Sequence, residues 1–412
     1  MFDSQVYALR RKALFDQVGH PVVLFSNPDY GIPGQHEDSN FLYFTGISQP
    51  GMALVVDEAG RSILFVPRYR EERVRWEGSS MAPSQDEAER YGFDEIRLSG
   101  EECSRFTVSL FDPVAMWDDF KKQIEDWCAA DLLIGTVKNP FLLRFQVLFP
   151  ELSKGVVFLE PVIARMRRIK SRQEIAAITR ACDITALAQE AALYSILGED
   201  PNELTVRAAL EYLFTEHGAQ PAFSTVVAGG KNATVLHHLA AQVPLKKEDL
   251  VIVDIGARFD GYCADITRTY PISGRFSERQ RELYELVSEA QELVAEAAKP
   301  GMFLRNPDEP ELSLHHLALE FFKKHNLQEY FTHGIGHYLG LDVHDVGSYA
   351  EPLIEGDVIT IEPGLYLPHE GIGIRIEDDF WVVPGGAVCL SDSLPRSVDD
   401  VEELCDSVAR LA

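Results

Sequence analysis

The sequence predicts two domains of the α/β (α+β) class. The chain has 412 residues, which is long for one hydrophobic core, so two domains are the starting expectation. Up to about residue 160, short β-branched runs alternate with helical runs, as in an α/β domain. The second half opens with long helical segments and continues with hairpins. We therefore expect an amino-terminal domain over 1–163 and a second domain over 164–412.

The elements of the amino-terminal domain follow from residue spacing. The first residues predict an amphipathic helix, because they lack the continuous apolar run of a signal peptide. The segment VVFLEPVIARMRRIKS (156–171) predicts a strand that leads into a basic connection. Further strands are predicted at 21–27, 51–57, 62–67 and 131–135, and helices at 70–78, 84–91 and 115–130.

The second domain is predicted to begin with a capped helix. Ser171 and Glu174 form a capping-box pattern before a helical run, and Ser277 and Gln280 repeat it before another. Two hairpins are expected, one around the turn Arg258–Gly261 and one around the turn Pro368–Gly371. The strands of the first are placed at Leu250–Gly256 and Gly261–Pro271, and the helices at 172–197, 202–217 and 278–298.

The composition disfavours several classes of partner. The formal net charge is −27 and the pI is near 4.8, so the surface repels phosphate backbones and anionic lipids. No apolar run approaches the roughly 20 residues that span a bilayer. The six cysteines show no CxxC pairing, which is typical of reduced thiols. We expect a cytoplasmic protein with neither nucleic-acid nor membrane partners.

The two predicted hairpins each carry a pair of carboxylates. Asp254 and Asp265 are equally distant from the centre of the first turn, taken between Phe259 and Asp260. Glu362 and Glu377 are likewise symmetric about the second turn. Residues directly opposite on antiparallel strands have Cβ atoms about 4.5–5.5 Å apart, so like charges there would repel each other. Divalent metal is the simplest compensation, and four carboxylates balance two M²⁺ ions.

A glycine-rich stretch supplies imidazoles that could join these carboxylates. THGIGHYLGLDVHD (332–345) contains His333, His337 and His344, of which one would complete a dinuclear site. Asp265 and Glu377 are the candidate bridging ligands, with Asp254 and Glu362 more terminal. Such oxygen-rich ligation suits Mn²⁺, Co²⁺ or Zn²⁺. The alternative for each histidine is a buried polar residue without a metal.

These segments resemble the metal-dependent aminopeptidase P and prolidase family, whose catalytic domain has the pita-bread fold. The resemblance rests on the following stretches, in the family's order: ATVLHH (233–238), VDIGARFDGYCADITRT (253–269), HGIGHYLGLDVHDVG (333–347), TIEPGLY (360–366) and GIRIEDD (373–379). It implies a pseudo-twofold relation between the hairpins. It also implies five ligands for two divalent ions, with Mn²⁺ expected first and Zn²⁺ or Co²⁺ as alternatives: Asp254, Asp265, His337, Glu362 and Glu377.

The resemblance extends to the amino-terminal domain and shows two departures. DSNFLYFTG (38–46), LFVPRYREERVRWEG (64–78) and MRRIKSRQEI (166–175) resemble the family's first domain and its connection. Relatives often carry Arg shortly before the first of these, where this chain has Gln35-His36-Glu37. Phe223 stands where some relatives have Tyr. Both departures concern substrate recognition, not the metal ligands.

The implied reaction is hydrolysis of an Xaa-Pro bond with release of the amino-terminal residue. Glu362 is expected as general base and acid, with His344 and His237 as further catalytic residues. The substrate-binding residues are expected to be His237, His333, His344, Tyr366 and Arg375. For Arg375, an ion pair with Glu377 and direct substrate contact are both open. The resemblance also suggests a homodimer or homotetramer.

Several alternatives remain open at this point. The stretch RYREERVRWEG resembles aminopeptidases P, which accept longer peptides, whereas DVHDVGSY (342–349) and LPRSVDDVEEL (394–404) resemble prolidases, which prefer Xaa-Pro dipeptides. Aminopeptidase P is favoured. A methionine aminopeptidase usually lacks the first domain, and a creatinase-like hydrolase would not need five metal ligands. A non-catalytic pita-bread binding module would be expected to have lost ligands. No GxSxG or complete P-loop motif occurs.

Overall fold

The computed structural model describes residues 2–28, 38–78, 80–103, 108, 114–130, 132–148 and 155–410. The segment Gln35–Glu37, one of the two departures from the family pattern, lies outside these residues. The chain divides into two compact units, Met1–Met166 and Arg167–Ala412. No helix in the described ranges is long and apolar enough to cross a membrane.

The first unit is built on one mixed sheet of six strands. The strand order is β4-β3-β2-β1-β5-β6, in which β1–β2 and β2–β3 are antiparallel and the other pairs are parallel. The strands are β1 Val22–Phe25, β2 Ala53–Val56, β3 Ser62–Arg68, β4 Glu95–Glu102, β5 Ile134–Thr136 and β6 Val156–Phe158. The helices are α1 Ser4–Val18, α2 Ser39–Thr45, α3 Val74–Glu77, α4 Gln85–Tyr91, α5 Asp118–Ala129, α6 Pro140–Leu148 and α7 Glu160–Arg168.

Aromatic packing forms the core of this unit. Phe25 on the central strand contacts Trp117, Phe120 and Phe145 at ring-centroid distances of 6.3, 5.5 and 5.4 Å. These rings bury a large apolar area against one sheet face, which stabilises the layered arrangement. The sequence prediction located β1, β2, β3, β5 and β6. It did not locate β4, because the polar residues of that strand obscure the alternation of apolar side chains.

The second unit combines five helices with antiparallel strands. The helices are α8 Arg172–Ile196, α9 Glu203–Glu216, α10 Glu278–Ala297, α11 Leu314–Lys324 and α12 Val398–Ala409. The strands are β7 Gln220–Pro221, β8 Val226–Gly229, β9 Leu250–Ile255, β10 Ala257–Phe259, β11 Tyr262–Cys263, β12 Ile266–Pro271, β13 Val358–Ile361, β14 Gly364–Leu367, β15 Ile372–Arg375, β16 Asp378–Val383 and β17 Gly386–Cys389.

Two of these helices begin with the predicted capping boxes. The Ser171 hydroxyl accepts a bond from the Glu174 amide while the Glu174 carboxylate accepts one from the Ser171 amide. Ser277 and Gln280 make the equivalent pair at the start of α10. Each pair satisfies two backbone donors that the first helical turn leaves open.

The first hairpin has a different register from the one predicted. Its turn is the two-residue Asp260–Gly261, with φ values of +49° and +87°, as a type I′ turn requires. The centre therefore falls one residue later than predicted, and Asp254 pairs with Thr267 instead of Asp265. The predicted direct pairing of Asp254 with Asp265 is wrong. Asp265 lies two positions before Thr267, a diagonal neighbour of Asp254 whose side chain points to the same face.

The second hairpin keeps the predicted register. Its outer ladder pairs Ile361 with Asp378, and its inner ladder pairs Gly364 with Arg375, so the two have the same alignment. Glu362 and Glu377 lie opposite each other in the short interruption between these ladders. Pro363 has no amide hydrogen to donate, which accounts for the interruption.

Candidate metal centre

The two hairpins bring four carboxylates to one cavity of about 870 Å³. Each carboxylate lies near the end of a strand, where regular pairing stops. Asp254 is in β9, Asp265 precedes β12, Glu362 follows β13 and Glu377 precedes β16. A side chain at such a position can leave the sheet face and point into the cavity, and all four line its wall.

His337 reaches the carboxylates from the glycine-rich stretch. The amide of Thr360 donates to the His337 carbonyl at 2.9 Å, and the Glu362 amide donates to the Ile335 carbonyl at 2.8 Å, so this stretch is hydrogen-bonded to the β13 edge. Gly336 permits this close approach, because a Cβ atom there would lie 2.0 Å from the Thr360 carbonyl oxygen.

The His337 ring is oriented with one nitrogen toward the carboxylates. Its Nε2 lies 3.4 Å from Asp265, 3.8 Å from Glu362 and 4.0 Å from Glu377. Its Nδ1 lies 3.1 Å from the Tyr338 carbonyl oxygen, which accepts that ring proton. The Nε2 lone pair is then available, which is the arrangement that a metal-binding histidine requires.

Two buried carboxylate oxygens lack hydrogen-bond donors among the described residues and are therefore suited to coordinate a metal ion. Asp254 Oδ1 and Asp265 Oδ1 are buried, and neither finds a hydrogen-bond partner within the described chain. An unsatisfied buried carboxylate oxygen is costly unless a cation coordinates it. Potential ligand atoms of Asp265, His337 and Glu377 all lie within 4.8 Å of one another. The donor set therefore suits divalent metal ions.

The pKa shifts of the clustered carboxylates also favour a bound cation. Burial and the neighbouring carboxylates raise the pKa of Asp265 and of Glu377 well above their usual values. Burial raises the pKa of Glu362 to about 7. Buried carboxylates that raise one another's pKa in this way are a donor set that a divalent cation would stabilise in the ionised form.

Arg375 connects the carboxylates to the histidine side of the cavity. Its Nη2 donates to Asp254 at 2.6 Å, and its Nη1 donates to the Tyr366 hydroxyl at 2.8 Å. That hydroxyl is 2.9 Å from His333 Nε2, and His333 Nδ1 is 2.8 Å from the Gly334 carbonyl. Glu377 is 4.0 Å from the guanidinium. The ion pair of Arg375 is therefore mainly with Asp254, not with Glu377 as the sequence alternative held.

Three predicted histidines line the same cavity, and Tyr366 does not. His237, His333 and His344 face the cavity, as does Phe223. The His344 ring stacks on His337 with centroids 4.0 Å apart. Tyr366 is buried behind His333 and touches the cavity only through that ring and Arg375.

Burial keeps two of these rings neutral. It lowers the pKa of His333 to about 4, with Arg375 adding to the effect. Burial and the nearby His337 also lower the pKa of His344. At neutral pH both rings are uncharged and can offer hydrogen bonds or an apolar face.

Three side chains that support the candidate ligands were not predicted from the sequence. The Thr267 hydroxyl donates to Glu377 at 2.7 Å and accepts a bond from Arg375 Nε. The Thr360 hydroxyl accepts the His337 amide, and Asp379 accepts the Asp265 amide. Each lies two residues along the strand from a candidate ligand. Strand alternation places such residues on the same face, a pattern that could have identified them.

The fold and this site define a two-domain metallopeptidase with a pita-bread catalytic domain. The chain belongs to metallopeptidase family M24, whose family model matches residues 176–384, and residues 7–108 match the aminopeptidase P N-terminal domain. The predicted family, the fold class and the enzyme class are confirmed.

Individual relatives carry two related activities in their names. The chain is 31% identical to an Xaa-Pro aminopeptidase of Haemophilus influenzae over 96% of each sequence. It is 33% identical to an Xaa-Pro dipeptidase of Pyrococcus furiosus over 84% of this chain and 89% of that one. Aminopeptidase P from E. coli, solved with the inhibitor Pro-Leu, superposes with a TM-score of 0.83 at 27% identity and covers 100% of both chains.

Proposed function

We propose that the protein is a dinuclear metal-dependent aminopeptidase that hydrolyses Xaa-Pro bonds and releases the amino-terminal residue. The observation that carries this is the meeting of His337 Nε2 with Asp265, Glu362 and Glu377 in one cavity. Similarity to Xaa-Pro aminopeptidases over nearly the whole chain supports the assignment of the Xaa-Pro bond as the bond that is cleaved.

The proposed metal ligands are the five residues inferred from the sequence. The unpartnered oxygens of Asp254 and Asp265 and the oriented lone pair of His337 support this assignment. When bound, two divalent ions would polarise the scissile carbonyl and lower the pKa of the attacking water. The ligands are Asp254, Asp265, His337, Glu362 and Glu377.

Glu362 is the proposed proton carrier. Its carboxylate lies at the cavity wall, 3.6 Å from His333 and 3.8 Å from His337. It would accept the proton of the attacking water and deliver it to the proline nitrogen, which becomes the leaving amine. Proton delivery is needed for the C–N bond to break, because the nitrogen leaves as a neutral amine and not as an amide anion.

The histidines would hold the substrate around this point. His344, fixed by its stack on His337, would donate a hydrogen bond to the oxyanion that develops on the scissile carbonyl. His237 and the neutral His333 would line the proline pocket. Arg375 and Tyr366 would hold Asp254 and His333 in place through their hydrogen bonds.

Xaa-Pro dipeptidase is the second candidate. The 33% identity to the Pyrococcus furiosus dipeptidase favours it, although that match spans less of the chain than the aminopeptidase matches do. Both candidates use the same site and chemistry. They differ in whether the peptide continues beyond the proline.

Three finer assignments belong to the same proposal. Mn²⁺ is the proposed metal, because a carboxylate-rich set with one imidazole suits a hard to borderline ion. The proposed location is the cytoplasm, which agrees with six cysteines that all have free thiols. A homodimer or homotetramer is proposed from the family resemblance.

Hydrolysis of a matched peptide pair tests the proposal. The chelated protein would be restored with Mn²⁺ and given an Xaa-Pro dipeptide and an Xaa-Pro-Yaa-Yaa tetrapeptide. We expect metal-dependent cleavage of the tetrapeptide, lost in Glu362→Gln. Cleavage of the dipeptide alone would establish a dipeptidase. If the restored protein cleaves neither peptide, the proposed Xaa-Pro activity is wrong.

A further inference from the structure

The cavity contains one arginine that the metal centre does not use. Among the described residues, three arginines and no lysine line the cavity. Arg375 is bound to Asp254 and Tyr366. Arg258 donates to the Leu341 and Gly261 carbonyls at 2.7 and 3.3 Å. The third, Arg305, is exposed and makes neither an ion pair nor a side-chain hydrogen bond within the described ranges.

A closed loop presents Arg305 to the cavity. The Phe303 amide donates to the Leu312 carbonyl at 2.7 Å, and the His315 amide donates to the Leu304 carbonyl at 3.0 Å. The Asn306 amide donates to the Ser313 hydroxyl at 3.1 Å. These bonds fix both ends of the loop and so hold the backbone of Arg305, whose exposed side chain makes no hydrogen bond within the described ranges.

Arg305 belongs to the His333 side of the cavity. The His315 amide donates to the Leu304 carbonyl at 3.0 Å, which places the residue before Arg305 against His315. The His315 ring is 5.2 Å from Phe331, and Phe331 is 5.5 Å from His333. His333 in turn is 3.6 Å from Glu362. Arg305 therefore lies beyond His333 and the proposed proline pocket, as seen from Glu362.

Negative and positive side chains therefore occupy different parts of the cavity wall. Its acidic cluster attracts the positive α-amine of a peptide, while Arg305 offers the only uncommitted cation among the described lining residues. We propose that Arg305 binds a carboxylate on the carboxyl-terminal side of the substrate's proline and thereby favours short peptides. This inference rests on the proposed Xaa-Pro activity and adds the part of the substrate that sets peptide length.

The carboxylate could come from two parts of a peptide, the chain terminus or an acidic side chain. A guanidinium group can bind each of these carboxylates through paired N–H···O bonds. The peptides Ala-Pro-Ala, its carboxyl-terminal amide, and Ala-Pro-Glu amide separate these sources, and Ala-Pro adds the dipeptide. All four would be assayed with the metal-restored protein, with kcat and KM measured separately.

The wild-type protein should prefer the Ala-Pro-Ala acid to its amide by about tenfold in kcat/KM, mainly through KM, because a charge-assisted hydrogen bond contributes roughly this much. In Arg305→Gln the acid-to-amide ratio should fall to about one, and Arg305→Lys should retain part of it. Arg281→Gln removes a half-buried arginine on α10 that pairs with Glu285, Asp399 and Glu402 and does not line the cavity, and it should leave the ratio and the activity unchanged. If the wild-type protein cleaves Ala-Pro-Glu amide faster than Ala-Pro-Ala amide, and Arg305→Gln removes this advantage, Arg305 also binds an acidic side chain.

The contradicting outcomes can be told apart. An acid-to-amide ratio that survives in Arg305→Gln overturns the role of Arg305, and so does a wild-type protein that cleaves acid and amide equally. Failure of the wild-type protein to cleave any of the four peptides would instead contradict the proposed Xaa-Pro activity.

Discussion

At the residue scale, Glu362 is the side chain on which the proposed chemistry depends most. Replacing it by Gln removes the proton acceptor while keeping the side-chain volume. We expect kcat to fall by about 10²–10⁴, the usual contribution of a positioned general acid or base. Circular dichroism and thermal unfolding should show a folded protein. Activity within a few-fold of wild type would show that another group carries the proton.

Thr267 provides a test of how the metal ligands are positioned. Its hydroxyl bonds Glu377 at 2.7 Å and Arg375 at 3.1 Å, so Thr267→Val removes one support from each. We expect metal affinity, measured by calorimetric titration with Mn²⁺, to fall about 10–100-fold. Thr269→Val is the matched control, since that equally buried hydroxyl bonds only the backbone of Arg375. Equal effects of the two variants on metal affinity would contradict a specific role for Thr267.

At the element scale, Glu203 at the start of α9 anchors the segment that carries His237. Its buried carboxylate accepts bonds from the Gly229 amide, the Asn232 side chain, His238 and the Ala241 amide, at 2.8–3.1 Å. Glu203→Gln replaces one acceptor oxygen by a donor and leaves buried donors unmatched. We expect the free energy of unfolding to fall by about 2 kcal/mol at pH 7, measured by urea denaturation. Glu216→Gln, an exposed change at the other end of α9, should have no effect.

The same carboxylate predicts a pH dependence. Burial alone would raise the pKa of Glu203, but its hydrogen bonds lower it overall. A carboxylate whose pKa is lowered by folding stabilises the protein above its unfolded pKa, about 4.3 for Glu, and this contribution disappears as the pH falls through the folded value. The difference in unfolding free energy between wild type and Glu203→Gln should therefore shrink below about pH 4. A difference that stays constant from pH 7 to pH 3.5 would contradict the assignment.

The elements also show which features the sequence could predict. Capping boxes and helix α10 depend on residues a few positions apart, so Ser171, Ser277 and their partners could be identified directly. The first hairpin was misaligned because its turn was taken as four residues, whereas Asp260–Gly261 alone forms it. A shift of one residue in the turn centre moves each cross-strand partner by two.

The candidate site shows the same limit. The pattern of carboxylates and histidines identified side chains that do line one cavity. The partner of Arg375 did not follow from this pattern, because the choice between Asp254 and Glu377 depends on side-chain rotamers across three strands. The glycine-rich stretch forms neither a helix nor a named strand, and such an irregular backbone cannot be derived from local propensity. Contacts between distant segments decide such details.

At the scale of the whole molecule, stability should depend on metal. The buried carboxylates repel one another in the metal-free protein, and a cation that binds only the folded state stabilises it by roughly 3 kcal/mol at a hundredfold excess over Kd. Calorimetry should therefore show a higher melting temperature with Mn²⁺ than with chelator. Asp265→Asn should lose this difference and, without metal, melt no lower than wild type. Identical melting with and without metal would contradict a metal centre at these carboxylates.

The most direct test of the central claim measures bound metal and activity in one titration. Mn²⁺ would be added stepwise to the chelated protein while an Xaa-Pro-Yaa peptide and its Xaa-Ala-Yaa analogue are assayed. We predict that hydrolysis of the proline peptide appears with the metal and is complete at two ions per chain, and that the alanine peptide is cleaved far more slowly. Full activity without metal, or equal cleavage of both peptides, would contradict a dinuclear Xaa-Pro peptidase.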